Sequence, residues 1–188
     1  MDINLTERLK LKMGSYPKTR GRYSSSQLYG IMNGWITPEQ WIDPPERDIK
    51  DILNMWGGIG LHNQLEDLMG RENSEKKKEY CYKDIVLVGK ADFLPPHKKN
   101  QVWEFKTSEN KMDKAKPWHE YQAKIYATLF DCEEGVIYQP VQNDQGIFLK
   151  HLGTIKRDDE WFKGEIEKLY EFHLKVEKIW KAKEKAKK

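Results

Sequence analysis

The sequence predicts an α/β fold in which a central mixed β-sheet is flanked by helices, with a helical segment before the sheet and a long helix after it. Segments rich in β-branched and aromatic residues occur at 76–107 and again at 136–155, and this composition favours strands. Segments with apolar residues at helical spacing lie before, between and after these strands. Helices interspersed with strands in this way cover the faces of a sheet, which leads to a layered α/β architecture.

The N-terminal part is predicted to be mostly helical. Residues 1–14 are amphipathic, whereas residues 15–26, rich in glycine, serine, tyrosine and arginine, have the composition of a loop. A helix should begin at Ser26, after a run of serines whose hydroxyls suit an N-cap. Residues 48–69 form another helix, which we expect to be interrupted or kinked at its glycines. These glycines are Gly57, Gly58 and Gly60.

Three β-prone runs follow, at 80–82, 85–88 and 102–105. We expect them to pair as antiparallel neighbours, with a proline-rich turn at 95–100 before the last run. Apolar residues then recur at helical spacing over 118–130, which predicts a helix that packs on the sheet.

Two further strands and a long helix complete the predicted fold. The strands, 136–141 and 147–155, flank a turn at 143–146. The helix has an apolar stripe and ends in a basic tail at 181–188, which we expect to fray with its charges in water. The stripe consists of Trp161, Ile166, Leu169, Phe172, Val176 and Ile179.

The composition fits one globular domain. Of the 188 residues, 38% are hydrophobic and 34% are charged, which supplies a core but leaves the chain short for two ordinary domains. We expect a helical part at 1–57, a core at 58–157 and a C-terminal helix with its tail at 158–188. No apolar run reaches the about 18 residues of a membrane span, and the charged N-terminus is unlike a signal peptide. The expected location is the cytoplasm, or the host cytoplasm for a viral protein, without a membrane partner.

The cysteine count excludes several kinds of site. Cys81 and Cys132 are too few for a disulfide scaffold, a structural zinc site or an iron–sulfur cluster, so we expect two buried, reduced thiols.

The net charge of +3 is by itself a weak argument for nucleic acid, so the placement of the basic residues matters more. Arg20 and Arg22 lie beside Tyr23, a mixture that suits a groove for single-stranded DNA and equally suits a plain surface loop. Trp35 and Trp41 are either core residues or a wedge beside a substrate channel.

The strongest chemical pattern lies in the predicted strands. Glu104 and Lys106 are two residues apart on one strand and therefore share a face, and a tight turn brings Asp92 towards them from the preceding strand. Paired carboxylates offer hard oxygen ligands to Mg²⁺ or Mn²⁺. Such a metal activates water and neutralises phosphate charge, the two requirements of phosphodiester hydrolysis. Each of these residues also has a plainer interpretation, an edge-strand charge for Glu104 and Lys106 and a turn cap for Asp92.

Four segments in order resemble motifs of the PD-(D/E)XK nuclease superfamily and, within it, of the RecB-like exonuclease branch. The first resembles a helix motif in which a histidine joins the metal ligands, the second a Gly-x-x-Asp strand, the third the Glu-x-Lys strand and the fourth a Gln-x-x-x-Tyr helix. They are residues 58–66 with His62, residues 89–92, residues 103–108, and residues 122–126. The resemblance implies a restriction-endonuclease-like core.

The resemblance also implies roles for individual residues. His62, Asp92 and Glu104 would bind the metal together with the backbone carbonyl of Phe105, and Lys106 would be the catalytic lysine. Gln122 and Tyr126, one helical turn apart, would contact the substrate strand or the surroundings of the lysine, although they also suit the edge of a core.

Two further residues join this set. Ser25 would correspond to an N-terminal serine element of the family. Glu66 shares a helix face with His62, where it stands behind the metal ligands, reaches a second metal or forms an ordinary surface salt bridge.

The implied activity is a metal-dependent DNA exonuclease acting on single strands or DNA ends, in replication, recombination or repair. CRISPR-associated and AddB-type relatives carry four cysteines for an iron–sulfur cluster, which the two cysteines here cannot supply. The alternatives are a structure-specific or restriction-type endonuclease and a catalytically idle nucleic-acid-binding module. DNA is the expected partner, and whether the chain forms a homo-oligomer or works with replication or recombination proteins stays open.

Overall fold

The computed structural model describes residues 19–46, 48–107 and 111–186, and a six-stranded mixed sheet forms its centre. The strands are β1 (Arg22–Ser24), β2 (Ser74–Tyr82), β3 (Ile85–Phe93), β4 (Gln101–Phe105), β5 (Glu134–Asn143) and β6 (Gly146–Lys156). The helices are α1 (Ser25–Met32), α2 (Pro38–Ile42), α3 (Ile49–Met69), α4 (Pro117–Leu129) and α5 (Asp159–Ala186), and a 3-10 turn spans Arg71–Asn73. The predicted α/β class is confirmed, and the helix predicted over 1–14 lies outside the described residues.

The sheet opens on one side of β3, and this opening positions the candidate site. β2 pairs antiparallel with β3 along nearly its whole length. β1, parallel, and β4, antiparallel, therefore share the opposite edge of β3, β1 at Val86 to Val88 and β4 at Phe93. Beyond β4 the order continues with β5, parallel to β4, and β6, antiparallel to β5. The edge of β3 between Val88 and Phe93 is where β1 and β4 diverge.

Two groups of buried apolar side chains hold the helices on the sheet. The larger group joins β3 to α4 and α5, and the smaller joins α3 to β4 and β5. The larger group includes Ile85, Leu87, Ile125, Leu129, Ile166 and Leu169. The smaller consists of Leu65, Phe93, Trp103, Phe105 and Val136. Burial on this scale is the main favourable term in folding.

The predicted interruption of the 48–69 helix at its glycines is wrong. Asp48 caps α3, its Oδ1 accepting a hydrogen bond from the Lys50 amide at 3.0 Å, and the helix runs unbroken to Met69. Glycine keeps its amide donor, unlike proline, so the backbone ladder continues through the glycines. A Cβ at Gly58 would lie 3.0 Å from Thr107 Oγ1, so the missing side chain lets α3 approach the end of β4.

The predicted loop over 15–26 is also corrected in part. Within the described residues it contains β1, whose partner strand lies far along the chain where local composition gives no signal. Ser24 occupies the N-cap of α1 without a side-chain capping bond, because its hydroxyl contacts Ser26 Oγ at 2.8 Å. α1 therefore begins at Ser25, one residue earlier than predicted.

Other predictions concern the surface. Cys132 is buried as expected, whereas Cys81 is exposed because it lies on the outermost strand, β2. The C-terminal tail is helical as far as Ala186. Trp41 belongs to the core, whereas Trp35 is exposed. Among the described helices, none is both long and apolar enough to cross a membrane.

Candidate active site

The centre of the candidate site is a buried carboxylate paired with a lysine. Glu104, on β4, is 1% exposed, and its Oε2 accepts a hydrogen bond from Lys106 Nζ at 3.0 Å. The Lys106 ammonium also donates to Gln122 Oε1 on α4 at 2.9 Å, and its backbone amide donates to the Tyr138 carbonyl at 2.8 Å. The lysine is thus fixed at both its backbone and its charged end, which keeps its direction constant.

Gln122 continues this network towards α1. Its Nε2 donates to the Tyr126 hydroxyl at 3.0 Å, and Ser25 Oγ donates to the same hydroxyl at 3.0 Å. Tyr126 and Ser25 are both buried. Burial, together with the negative charge of Glu104, raises the pKa of Tyr126, so the phenol stays protonated. The predicted residues Ser25, Gln122 and Tyr126 therefore lie in one chain of contacts that ends at Lys106.

Asp92 and His62 approach from β3 and α3. The pairing of Phe93 with Trp103 brings Asp92 alongside the end of β4, where its Oδ2 accepts a hydrogen bond from the Phe105 amide at 2.7 Å. Its other oxygen, Oδ1, lies 3.7 Å from His62 Nδ1. That distance exceeds a hydrogen bond. Asp92 thus ties β3 to β4 with one oxygen and presents the other to the imidazole.

The surroundings of Glu104 disfavour its charged form. Burial and the negative charge of Asp92 raise its pKa to about 8, although the Lys106 ammonium opposes the shift. Its second oxygen, Oε1, is buried and has no hydrogen-bond partner within the part of the chain that the structure describes. A buried acceptor without a partner costs free energy, so such an atom calls for a functional explanation.

A divalent cation is one explanation that the donor set fits. Across residues 19–46, 48–107 and 111–186, no three histidine, cysteine, aspartate or glutamate side chains converge closely enough to hold a metal as they stand. The unpartnered Oε1 of Glu104 and the Oδ1 of Asp92 are nevertheless hard oxygen donors, and His62 lies next to the latter. Their chemistry suits Mg²⁺ or Mn²⁺.

Glu66 lies one turn beyond His62 on α3. Burial and the neighbouring negative charge of Glu75 raise its pKa, and Lys90, which forms an ion pair with Glu75, and His62 lower it again by smaller amounts. The structure thus places Glu66 beside the Glu75–Lys90 pair at the periphery of the site.

Arg20 and Arg22 are not brought to this cluster. Arg20 donates to both carboxylate oxygens of Glu177 on α5, at 2.5 and 2.6 Å, and reaches Glu184 at 3.3 Å. Arg22 forms an ion pair with Glu79 on β2. Each guanidinium therefore has a carboxylate partner within the protein. Arg20 binds α5 and Arg22 binds β2, so they connect parts of the fold and do not lie at the candidate site.

Two further residues border the site, and sequence reasoning missed the second of them, His119. Gly89 is the glycine of the Gly-x-x-Asp segment. A side chain does not fit at this position, because a Cβ would lie 2.5 Å from Leu129 Cδ1 and 3.1 Å from the Tyr126 ring. His119 is half-buried, and burial, with the positive charges of Lys106 and Lys116, lowers its pKa to about 4. Helical spacing from Gln122 was the available signal for His119.

Comparison with known proteins identifies the fold. The alkaline exonuclease of Laribacter hongkongensis superposes with a TM-score of 0.62 at 14% identity, over 96% of this chain and 97% of that one. The same exonuclease in complex with dAMP gives a TM-score of 0.58 at 13% identity, over 89% and 95% of the two chains. A phage-related exonuclease from Haemophilus somnus 129PT gives 0.52 at 13% identity, over 84% and 94%.

No protein-family model matches the chain, and no curated protein matches its sequence. At identities this low the likeness concerns the arrangement of helices and strands, and the RecB-like branch stays a prediction. The solved structures show that this chain shares the fold of these exonucleases, and membership of the PD-(D/E)XK superfamily stays a prediction from the motif order.

Proposed function

We propose that the protein is a metal-dependent nuclease that hydrolyses phosphodiester bonds in DNA. The observation that supports this most directly is Glu104, fully buried against Lys106 and close enough to Asp92 for its pKa to rise, with one oxygen left without a partner. A carboxylate placed in this way is costly for a purely structural residue and is what an ion-binding site requires.

In this proposal Asp92, Glu104 and His62 hold Mg²⁺ or Mn²⁺, with the Phe105 carbonyl as a further ligand. The bound cation would lower the pKa of coordinated water and neutralise phosphate charge. Asp92 is held by the Phe105 amide, so its free oxygen points in a constant direction. Gln122 orients the Lys106 ammonium, which is thereby available to stabilise negative charge that develops on the phosphate.

We propose further that the enzyme is an exonuclease for single-stranded DNA or DNA ends, in replication, recombination or repair. Support comes from the fold shared with two exonucleases, one of which was solved with the nucleotide dAMP. An exonuclease needs an end, so it should degrade a linear single strand and leave a circular one intact. Cleavage of the circle would instead favour the endonuclease alternative.

Replacing the buried carboxylate by its amide tests the activity. We expect Glu104→Gln to reduce cleavage of end-labelled linear DNA about a thousandfold or more in Mg²⁺ or Mn²⁺, because an amide is a poor ligand for a hard cation. A chelator should abolish cleavage by the wild type. DNA binding should persist, or increase above about pH 8, where the wild-type carboxyl carries a negative charge that repels phosphate.

Glu165→Gln is the matched control. Glu165 is also a buried carboxylate, but it binds Tyr121 and Lys168 and not Lys106, and a glutamine there can still accept the hydrogen bond from Tyr121. This variant should keep its cleavage activity. Equal activity of wild type and Glu104→Gln would contradict the proposal, and DNA binding without cleavage by the wild type would support the idle binding module.

Metal binding can be measured separately from cleavage. A cation that binds only the folded state raises the melting temperature in proportion to the logarithm of its concentration. We expect Mg²⁺ or Mn²⁺ to stabilise the wild type and Glu165→Gln, and to have little effect on Glu104→Gln. An equal shift in all three proteins would place the cation elsewhere.

A further inference from the structure

Four aromatic side chains form a partly exposed surface between α1 and α4. Tyr29 lies at its centre, with ring centroids 5.1 Å from Trp35, 5.4 Å from Tyr121 and 6.3 Å from Trp118. Trp35 and Trp118 are themselves 6.3 Å apart, and they are 62% and 40% exposed. We call Tyr29, Trp35, Trp118 and Tyr121 the aromatic surface. Two exposed tryptophans in mutual contact leave a large apolar area in water, which usually marks a binding site.

The aromatic surface borders the candidate active site. Trp118, Gln122 and Tyr126 are spaced by four residues along α4, so they follow one face of that helix. Trp118 is about 6 Å along the axis from Gln122, given a rise of about 1.5 Å per residue. Gln122 binds Lys106, the proposed catalytic lysine. At about 3.4 Å per stacked nucleotide, the aromatic surface lies within a few nucleotides of a phosphate held at Lys106.

The charges around the surface suit an anionic strand. Lys116 Nζ lies 5.1 Å from the centroid of the Trp118 ring. Lys111, Lys114 and Lys116 are all exposed on the segment that leads into α4, which carries Asp113 as its acidic residue. His119 is adjacent to Trp118, with ring centroids 5.5 Å apart, and the positive charge of Lys106 contributes to its lowered pKa. Ammonium groups beside flat exposed rings match phosphates beside bases, because the rings stack and the cations neutralise.

We propose that the aromatic surface is a base-stacking site that holds unpaired nucleotides of a single DNA strand next to the active site. The proposal rests on the proposed nuclease function and adds to it a form of substrate. Base stacking accepts any base, so this site contributes affinity for single strands without a sequence preference. Trp35 and Trp118 are the residues that contact the bases, and Lys116 contacts the backbone between them.

The test compares two DNA probes that differ only in their bases. Binding of a labelled oligothymidylate and of an abasic oligomer of equal length is measured by fluorescence anisotropy, with chelator present to prevent cleavage. We expect Trp35→Ala/Trp118→Ala to bind the oligothymidylate about ten- to hundredfold more weakly than the wild type, from the loss of stacking. Affinity for the abasic oligomer should change little. Trp118→Phe should recover part of the loss because it keeps a ring.

Trp180→Ala is the matched control. Trp180 is on α5, 19 residues beyond Trp161, the residue that packs on Tyr121, so it lies about 28 Å further along that helix. Its removal should leave both affinities unchanged. Circular dichroism of all variants should show that they fold.

The outcomes separate the two proposals. If the wild type cleaves DNA with metal and the double variant binds the oligothymidylate as tightly as wild type does, the stacking site is wrong and the nuclease stands. Equal losses for both probes would also overturn it, because the contact would then involve phosphates alone. A change of sedimentation with unchanged DNA affinity would assign the surface to self-association and contradict the proposal. Failure of the wild type to cleave with any divalent cation would instead refute the nuclease function.

Discussion

Tyr126 is the residue through which three elements of the site meet. Its hydroxyl accepts hydrogen bonds from Ser25 on α1 and Gln122 on α4, and its ring would lie 3.1 Å from a Cβ at Gly89 on β3. Gln122 in turn binds Lys106, so the Tyr126 phenol affects the lysine only through Gln122. We therefore regard Tyr126 as a positioning residue.

Removing one oxygen atom tests that role. Tyr126→Phe should lower the free energy of unfolding by about 1–3 kcal/mol, since the buried Ser25 hydroxyl and the half-buried Gln122 amide lose their acceptor. In cleavage assays kcat should fall several-fold while KM changes little, because Lys106 is less well oriented but the substrate contacts remain.

The control is Tyr170→Phe, whose ring packs against Tyr82 away from Lys106. It should change neither kcat nor KM. If Tyr126→Phe lowered stability with kcat intact, Tyr126 would be a purely structural residue.

Single residues of the site differ in how far sequence could predict them. Glu104 and Lys106 follow from the alternation of side chains along a strand, and Asp92 from the short turn between β3 and β4. Ser25 lies 101 residues before its partner Tyr126, a separation for which no local period exists. The exposed tryptophan at 118 was not identified as a site neighbour, because its function depends on what α1 places beside it.

At the scale of elements, close backbone approaches determine where α4 sits. A Cβ at Gly135 on β5 would lie 2.3 Å from the carbonyl oxygen of Ala123, the residue after Gln122. This clash is with backbone, so it cannot be relieved by a side-chain rotation. The glycine therefore sets the distance between α4 and the sheet, and with it the reach of Gln122 towards Lys106.

Gly135→Ala should consequently displace α4. We expect a loss of about 2–3 kcal/mol in the free energy of unfolding, measured in urea, together with reduced cleavage. Gly164→Ala provides the comparison, because nothing lies within 4 Å of a Cβ at that position of α5. It should be neutral or stabilising by up to about 1 kcal/mol, since alanine favours a helix. Similar losses in both variants would contradict the steric explanation.

Elements in which apolar residues recur at a regular spacing were predictable from the sequence. Elements that depend on a partner far along the chain were not. The β5–β6 hairpin and α4 and α5 follow from alternation, turn residues and helical spacing. β1 has three residues and exists only because β3 offers it an edge. The unbroken course of α3 through its glycines reflects packing against β4 and β5, which overrides the low helix propensity of glycine.

For the whole molecule, β2 is an exposed border of the sheet. In the described part of the chain β2 pairs with β3 alone, and Lys76, Lys77 and Lys78 are exposed along it. Charged side chains on an edge strand discourage pairing with a second molecule.

Neutralising this border should promote association. A Lys→Gln change at 76, 77 and 78 takes the formal charge from +3 to 0, and we expect aggregation at lower protein concentration in light scattering. The same change at three exposed lysines of α5, Lys175, Lys178 and Lys185, gives an equal net charge. Less aggregation in that control would assign the effect to the edge; equal aggregation would assign it to net charge.

The unpartnered oxygen of Glu104 bears on the thermal tolerance of the molecule as a whole. Every folded copy keeps a desolvated acid with one oxygen that lacks a partner among the described residues, and such an atom lowers the stability of the fold. The Glu104→Gln variant that stops cutting DNA should therefore melt at a higher temperature than the metal-free parent. Under the proposed function, the fold gives up part of its thermal tolerance to keep an acid that binds the ion.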